Sequence, residues 1–386
     1  MAYQEKYMKL AIETAEKGRF LSRPNPFVGA VIVKDDTVIG LGYTQKCGSD
    51  HAEIVALKQA GDQAKGASLY VTLEPCCHYG KTPPCTEAII KAGIKHVYAG
   101  LSDPNPAVNG KGFGYLLQAD IEVEFGFMAE QIEKQLEAFL TWKRLKRPFV
   151  IMKNATSLDA RIATSTGESK WITNNESRKI VHQIRAEVSA IISGVRSVIA
   201  DDPLLNVRIS DVRHFETNEL LTGCASPIRV ILDPFLEIPK HSLIVETASQ
   251  YPTLIVRSEN PDFVSQSDEL QFLDKEDYLR EMSCEVLAVK ATQDKIDLKS
   301  LLTVLSEREI SSVLVETGPT LATSFLKAHL VDKIYYFIAP KILGGQNTVF
   351  QDLNIETMDS AIQLHFDSVH QIESDILVKA YVSNHR

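Results

Sequence analysis

Three residues that can hold a soft metal ion stand at the borders of expected secondary-structure elements. They are His51 in His-Ala-Glu53, Cys76 in Glu-Pro-Cys and Cys85 in Pro-Pro-Cys. One imidazole and two thiolates are three ligands of a tetrahedral zinc, and the fourth position is left for water, as a catalytic site requires. For the three to meet, a helix start at 51, a strand end near 73 and a helix start at 85 must converge. An α/β layer with helices on the sheet faces does this. Pro84 suits a helix start, where free N–H groups and the helix dipole favour the Cys85 thiolate.

Two residues past its ligand, Glu53 can shuttle protons between water, a ring nitrogen and a departing amine. Zinc deaminases show the order H-x-E then P-C-x-x-C. Here eight residues separate the cysteines instead of two. Taken singly, His51 reads as a capping histidine, and Cys76 and Cys77 read as buried thiols. A structural zinc would take a fourth ligand from Cys77 or His78. The two motifs together, in this order, point to one catalytic zinc per chain.

At 386 residues the chain suggests two domains. With 44% apolar and 24% charged residues it is ordinary globular protein, which excludes a collagen, a coiled coil and a disordered tail. The net charge of −9 argues against nucleic acid as partner. Six cysteines are too sparse for a disulfide scaffold. Glu5, Lys6, Lys9, Glu13 and Glu16 interrupt any signal-peptide core. No run of apolar residues is long enough for a membrane span. A cytoplasmic protein is expected.

Strands are expected at 29–33, 37–42, 68–73 and 96–100, with helices at 51–59, 85–92 and 131–145. A basic, proline-ended stretch, Lys143 to Pro148, reads as an exposed linker. The alternation then restarts, with strands at 148–155, 190–194, 228–233, 253–258, 285–290, 312–318 and 334–340. Helices are expected at 177–188, 298–308 and 320–330, and a closing hairpin at 361–382. The expected domains are 1–146 and 147–386.

The second domain has no G-x-G-x-x-G after a strand. Gly110-Lys-Gly112-Phe-Gly114 lies in the first domain and reads as a turn. Glu316-Thr-Gly-Pro-Thr320 runs from a strand end into a helix start, where free N–H groups can hold phosphate. Gly344-Gly345 makes a second flexible loop. Arg185 and Arg208 can fork onto a phosphate, although singly each reads as a solvated surface residue.

The chain resembles the bifunctional riboflavin-biosynthesis deaminase/reductase family over nearly its whole length. The resemblance rests on Asn25 to Ala30, His51-Ala-Glu53, Glu74 to Cys85 with its long insert, Asp103 to Pro106 and Asn109 to Gly112. In the second half it rests on Lys153 to Asp159, Gly167 to Thr173, Ala200 to Leu205, Glu316 to Leu321 and Pro340 to Gly345. It implies a cytidine-deaminase-like three-layer α/β/α domain followed by a dihydrofolate-reductase-like α/β domain that takes NADPH. The implied first step deaminates a diaminopyrimidinone carrying a phosphoribosylamino group. The second reduces the ribosyl group to ribityl.

By motif match, His51, Cys76 and Cys85 hold zinc, and Glu53 is the acid/base. Asn25, His78, Lys81, Asp103 and Asn105 hold the deaminase substrate. Ala155, Trp171, Thr173, Ser197, Asp201, Gly318, Pro319 and Thr320 lie against NADPH. Ser169, Arg185, Leu205, Arg208 and Glu316 face the reductase substrate. Lys153 is the candidate for proton transfer or polarisation in ring opening; its plainer reading is a solvated lysine, and that of Trp171 is core.

Three residues depart from the family pattern. Thr44 stands where the family has His, which puts one substrate contact or relay in question. Cys77 replaces Ser, and Ala160 replaces Gly, where a Cβ is expected to alter NADPH affinity without abolishing it. The resemblance also implies a homo-oligomer acting on a small-molecule substrate. Two other readings remain open: a nucleoside or tRNA deaminase with an accessory domain, and a non-enzymatic structural-zinc protein.

Overall fold

A computed structural model describes residues 3–208, 214–216, 226–292 and 295–383. The chain forms two compact units. The first is Met1–Lys146, to which 214–216 also belong; the second holds Arg147–Ser210 and Ser226–Arg386.

The first unit runs α1 (Glu5–Glu16), β1 (Gly29–Lys34), β2 (Thr37–Tyr43), α2 (Ala52–Ala60), β3 (Ser68–Leu73), α3 (Cys85–Ala92), β4 (His96–Leu101), α4 (Lys111–Gln118), β5 (Glu122–Phe125), α5 (Ala129–Gln135) and α6 (Glu137–Leu145). Its sheet has the order β2-β1-β3-β4-β5. β1 is antiparallel to both neighbours, and β3, β4 and β5 are parallel. β3 and β4 are buried throughout, as strands covered on both faces must be.

Two glycines set how closely the helices lie on this sheet. Ala30 pairs with Gly42, so Gly29 and Gly42 look to opposite faces. A Cβ on Gly29 would sit 1.9 Å from the Ala11 carbonyl oxygen of α1. One on Gly42 would sit 2.0 Å from that of Ala52, the first residue of α2. The start of α2, which carries His51 and Glu53, is thereby pinned on β2.

The second unit continues with β6 (Phe149–Ser157), α7 (Asn175–Glu187), β7 (Ala190–Gly194), α8 (Val195–Asp201), β8 (Ile228–Leu232), α9 (Leu243–Glu246), β9 (Thr253–Ser258), α10 (Gln266–Glu281), β10 (Glu285–Val289), β11 (Ala291–Thr292), β12 (Lys295–Ile296), α11 (Leu298–Glu307), β13 (Ser312–Val315), α12 (Pro319–Lys327), β14 (Lys333–Ala339), β15 (Leu364–Ile372) and β16 (Asp375–Val382). The sheet order is β10-β9-β8-β7-β13-β6-β14-β16-β15. It is parallel from β10 to β14, and the antiparallel hairpin β15–β16 closes one edge. β13 returns between β7 and β6, so strands from three parts of the chain end side by side. Ligands of open parallel sheets bind at such carboxyl ends.

The expected hairpin at 361–382 is present as β15 and β16. The expected turn at Gly110–Gly114 is the start of α4, because a distant side chain, Glu74, caps its free N–H groups. The helix expected at 131–145 is broken at Leu136, whose ψ of 15° leaves the α-helical range. The linker expected at 143–148 falls where the two units divide, with residues 144–146 exposed, but it is not an irregular segment. The chain is helical to Leu145, and Arg147 is anchored to Asp332 through two bonds of 2.6 and 2.7 Å.

Ala160 lies at φ 60°, in the left-handed region, in the turn that follows β6. A Cβ there is strained, and glycine would relieve it at a smaller entropic cost. Ala160→Gly is expected to stabilise the second unit by about 0.5–1 kcal/mol in urea melts. A loss of stability would show that the turn carries no strain.

Candidate active sites

His51 caps the start of α2, and Cys85 is the first residue of α3 with Pro84 before it. Cys76 follows β3 in the connecting loop. His51 Nδ1 lies 3.5 Å from Cys76 Sγ and 3.4 Å from Cys85 Sγ. Zinc with tetrahedral bonds of about 2.0 Å to N and 2.3 Å to S would space N and S by about 3.5 Å. The donor set therefore fits zinc in both chemistry and spacing. Among the described residues only these three form such a group. Cys77 Sγ turns instead to the Ala107 carbonyl at 3.8 Å, and His78 is exposed. The site is three-liganded, which leaves the position that catalysis requires.

Without metal, the Cys76 thiol is held down at about 4, by the hydrogen bond from Cys85 first and then by His51. The N–H of Cys85 also donates to its sulfur at 3.3 Å. His51 is raised to about 9, chiefly by its bond to Cys76. Glu53 is buried beside this pair; burial, with the Cys76 thiolate adding, pushes its carboxyl up to about 7.

Glu74 is the residue the sequence reading passed over. Its buried carboxylate accepts from five donors: Ser102 Oγ, and the N–H groups of Asp103, Gly110, Gly112 and Phe113, at 2.7–3.4 Å. The loop it holds carries Asp103 and Asn105. Asp103 Oδ1 takes the Asn105 N–H at 2.8 Å, and burial pushes its carboxyl up to about 6. A glutamate directly before Pro-Cys was the available signal, but its partners lie about thirty residues on. Lys81 is exposed, with its Nζ 3.5 Å from Cys47 Sγ. Thr44 is buried, and its Oγ1 accepts the Val28 N–H at 3.0 Å. It ties together the loop after Asn25.

In the second unit, Met152 pairs with Val315 in parallel register, so the next residues, Lys153 and Glu316, come side by side. Lys153 Nζ lies 3.1 Å from Glu316 Oε2, and the Arg185 guanidinium grips the same carboxylate through bonds of 2.6 and 3.0 Å. Lys153 is thus an ion-paired, half-buried residue. Burial alone would raise Glu316; Arg185 and then Lys153 hold it well below the usual carboxylate range. Arg185 Nη1 also donates to the Asn206 carbonyl at 3.1 Å, next to buried Leu205.

Ser197 Oγ accepts the Gly318 N–H at 3.2 Å, so α8 meets the loop before α12. Pro319 is the first residue of α12 and Thr320 follows it. The free N–H groups of this helix start can hold a phosphate. Trp171 is 63% exposed, which removes the core reading, and Arg178 lies over its ring. Lys341 Nζ donates to the Trp171 and Ile172 carbonyls, and Asp159 holds the Leu343 and Gly344 N–H groups. The 171–173 segment and the glycine loop thus meet. Ala155 lies on β6 and Asp201 ends α8, while Ser169 is half-buried before Trp171. Among the described residues no side-chain hydrogen bond or ion pair joins these three to the others.

Residues 148–378 match the RibD C-terminal domain, and residues 1–101 match the cytidine and deoxycytidylate deaminase zinc-binding region. Riboflavin biosynthesis protein RibD of Aquifex aeolicus is 42% identical, covering 96% of each chain. The chain belongs to the RibD family. The Escherichia coli protein of the same name is 38% identical over 96% of this chain and 97% of its own. The solved Acinetobacter baumannii RibD superposes with a TM-score of 0.84 at 38% identity, covering 98% of both chains. A Thermotoga maritima structure, described as a diaminohydroxyphosphoribosylaminopyrimidine deaminase/5-amino-6-(5-phosphoribosylamino)uracil reductase, superposes at 0.80 with 34% identity over 98% of both.

Membership makes the chain an enzyme of riboflavin biosynthesis with a zinc deaminase unit and an NADPH reductase unit. The fold classes expected from sequence are those observed. No helix among the described residues is long and apolar enough to cross a membrane.

Zinc content separates the ligands from their neighbours. Cys85→Ser is expected to lose most bound zinc and all deaminase activity, whereas Cys77→Ser keeps about one zinc per chain by elemental analysis. Equal zinc loss in both would restore the four-ligand site.

The Glu316 pair makes a pH prediction. A carboxylate held low in the fold stabilises above its ordinary pKa, and that stability is lost as pH falls through the folded value. Glu316→Gln leaves two cations unbalanced and is expected to cost about 2–4 kcal/mol at pH 7. In chemical melts the difference should shrink below the ordinary carboxylate range; a pH-independent difference would mean the pair contributes no charge stabilisation.

Proposed function

We propose that the first unit deaminates 2,5-diamino-6-(5-phosphoribosylamino)pyrimidin-4-one, and that the second reduces the ribosyl group of the product to ribityl. The observation that carries this reading is one chain holding both an open His-Cys-Cys cage and a Lys153–Glu316–Arg185 cluster at a sheet switch point. The proposed domain limits are 1–146 and 147–386.

When bound by His51, Cys76 and Cys85, zinc supplies the Lewis acid that lets water attack near neutral pH. Glu53 takes one proton from that water and passes it to the ring nitrogen, then carries the second proton to the leaving amine. Ammonia departs and a uracil-type ring remains. Asn25, Asp103 and Asn105 read the ring edges through amide and carboxyl groups. His78 and Lys81 lie on the exposed rim, where a point charge suits the phosphate.

NADPH supplies the hydride in the second unit. Ala155, Trp171, Thr173, Ser197, Asp201, Gly318, Pro319 and Thr320 would hold it. Ser169, Arg185, Leu205, Arg208 and Glu316 would face the sugar phosphate. Lys153 lies within β6, level with the carboxyl end of β13, and gives a proton as the ribose ring opens, with Glu316 holding it in place. The ring oxygen takes that proton as the sugar opens to an iminium, and one hydride adds to the iminium carbon.

The net charge of −9 favours a small substrate over nucleic acid. We place the enzyme in the cytoplasm, where thiolate ligands stay reduced. We expect a homo-oligomer: Leu364, Phe366 and Val369 of edge strand β15 are all exposed.

Mass spectrometry of the products tests the whole scheme. Wild-type enzyme with zinc and NADPH should exchange an amine for oxygen and then add two hydrogens. Glu53→Gln should lower the exchange by at least about 100-fold, while pre-deaminated substrate is still reduced at the wild-type rate. Unchanged exchange in that variant would remove Glu53 from the mechanism. Unchanged substrate with folded, zinc-loaded wild type would overturn the reading.

A further inference from the structure

Arg229 of β8 is fully buried, yet among the described residues no carboxylate pairs with it. Neutral acceptors take every nitrogen instead. Nε donates to Thr253 Oγ1 at 3.0 Å, and Nη1 donates to Thr247 Oγ1 at 2.8 Å and to the Leu204 carbonyl at 3.2 Å. Nη2 donates to Thr253 Oγ1 at 2.6 Å and to the Ile244 and Tyr251 carbonyls at 2.9 and 3.2 Å. Burying a cation without a counter-charge is costly, and an apolar side chain would fill the space at lower cost. What a guanidinium adds is a flat fork of donors at fixed angles. Here the fork ties three segments to β8: Leu204, Ile244 to Thr247, and Tyr251 to Thr253.

The first of these segments needs such an anchor. Among the described residues no backbone–backbone hydrogen bond holds 203–207. Leu205 lies at φ 45°, a left-handed conformation that a leucine keeps only where its surroundings enforce it. Leu204 before it is fixed by Arg229, and Asn206 after it by Arg185, whose Nη1 donates to the carbonyl at 3.1 Å. Asp202 Oδ1 accepts the Leu243 N–H at 2.8 Å, beside the Ile244 carbonyl that Arg229 also holds. Leu205 is set between two arginine pins, one rooted in β8 and the other in α7.

We propose that Arg229 is a positioning residue of the reductase: through the Leu204 carbonyl it holds Leu205 in the conformation that forms a wall of the substrate site. Being fully buried, Arg229 touches no substrate itself. The inference rests on reading Leu205 as a residue that faces the substrate.

A double-mutant cycle measures whether the two residues act as one. Reduction of pre-deaminated substrate is followed at saturating NADPH for wild type, Leu205→Ala, Arg229→Met and the double variant. Each single change should raise the substrate KM about five- to tenfold, and the double variant should stay within about twofold of the worse single one. In Arg229→Met, kcat should stay within about threefold and the NADPH KM within about twofold of wild type. Arg229→Lys keeps a buried cation with fewer donors, and its substrate KM should fall between wild type and Arg229→Met. An arginine that is only structural would lower the melting temperature and the active fraction and leave KM alone; that result overturns the proposal. So does a double variant whose KM rises by the product of the two single effects. If Arg229→Met does not fold, Arg229→Lys takes its place in the cycle, and failure of both to fold makes the arginine structural and overturns the proposal. A wild-type KM in Leu205→Ala overturns the reading of Leu205 and the proposal with it. A raised KM there with an unchanged KM in Arg229→Met overturns the proposal alone.

Discussion

Both units depend on side-chain acceptors, most of them buried, that take up backbone N–H groups no helix or strand can satisfy. A buried amide without a partner costs about 1–3 kcal/mol, so loops rich in free N–H groups do not stay in place unaided. Glu74 satisfies four such groups and a hydroxyl in the first unit. In the second, Asp159 holds the glycine loop, Asp233 holds Glu237 and Ile238, and Asp332 takes the Val150 N–H while pairing with Arg147. Cys76 does the same for Cys85 through sulfur.

The two units solve the siting problem in different ways. In the first, helix starts are pressed onto a strand whose glycine leaves no room for error. In the second, parallel register places residues from distant segments at one level of the sheet. Lys153 and Glu316 are 163 positions apart in the chain, yet register alone makes them neighbours. The same carboxylate then holds Arg185 on α7.

Much of the deaminase site was legible because its residues are local. His51 and Glu53 are two apart, and only eight residues separate Cys76 from Cys85, so spacing and order carry the chemistry. In the second unit the residues alone pointed only to an anion-binding α/β domain, and the finer assignments came from the family resemblance. The site's groups are ordinary residue types at long separations, and neither Arg185 nor Lys153 differs in sequence from a surface residue. Glu74 and Arg229 were missed for the same reason: their partners lie 28 to 39 and 15 to 25 positions away. Gly110–Gly114 was misread because a helix capped by a remote side chain has no local signature.

From sequence alone came the metal-ligand set, the two-part α/β organisation and most of the strands, since spacing and hydrophobic period are short-range properties. Tertiary structure decided which acids cap which loops, which cations share Glu316, and that Cys77 and Thr44 face the protein's own backbone. Those outcomes depend on strand order, register and close approach of layers. These are set by packing between segments that sequence proximity does not link.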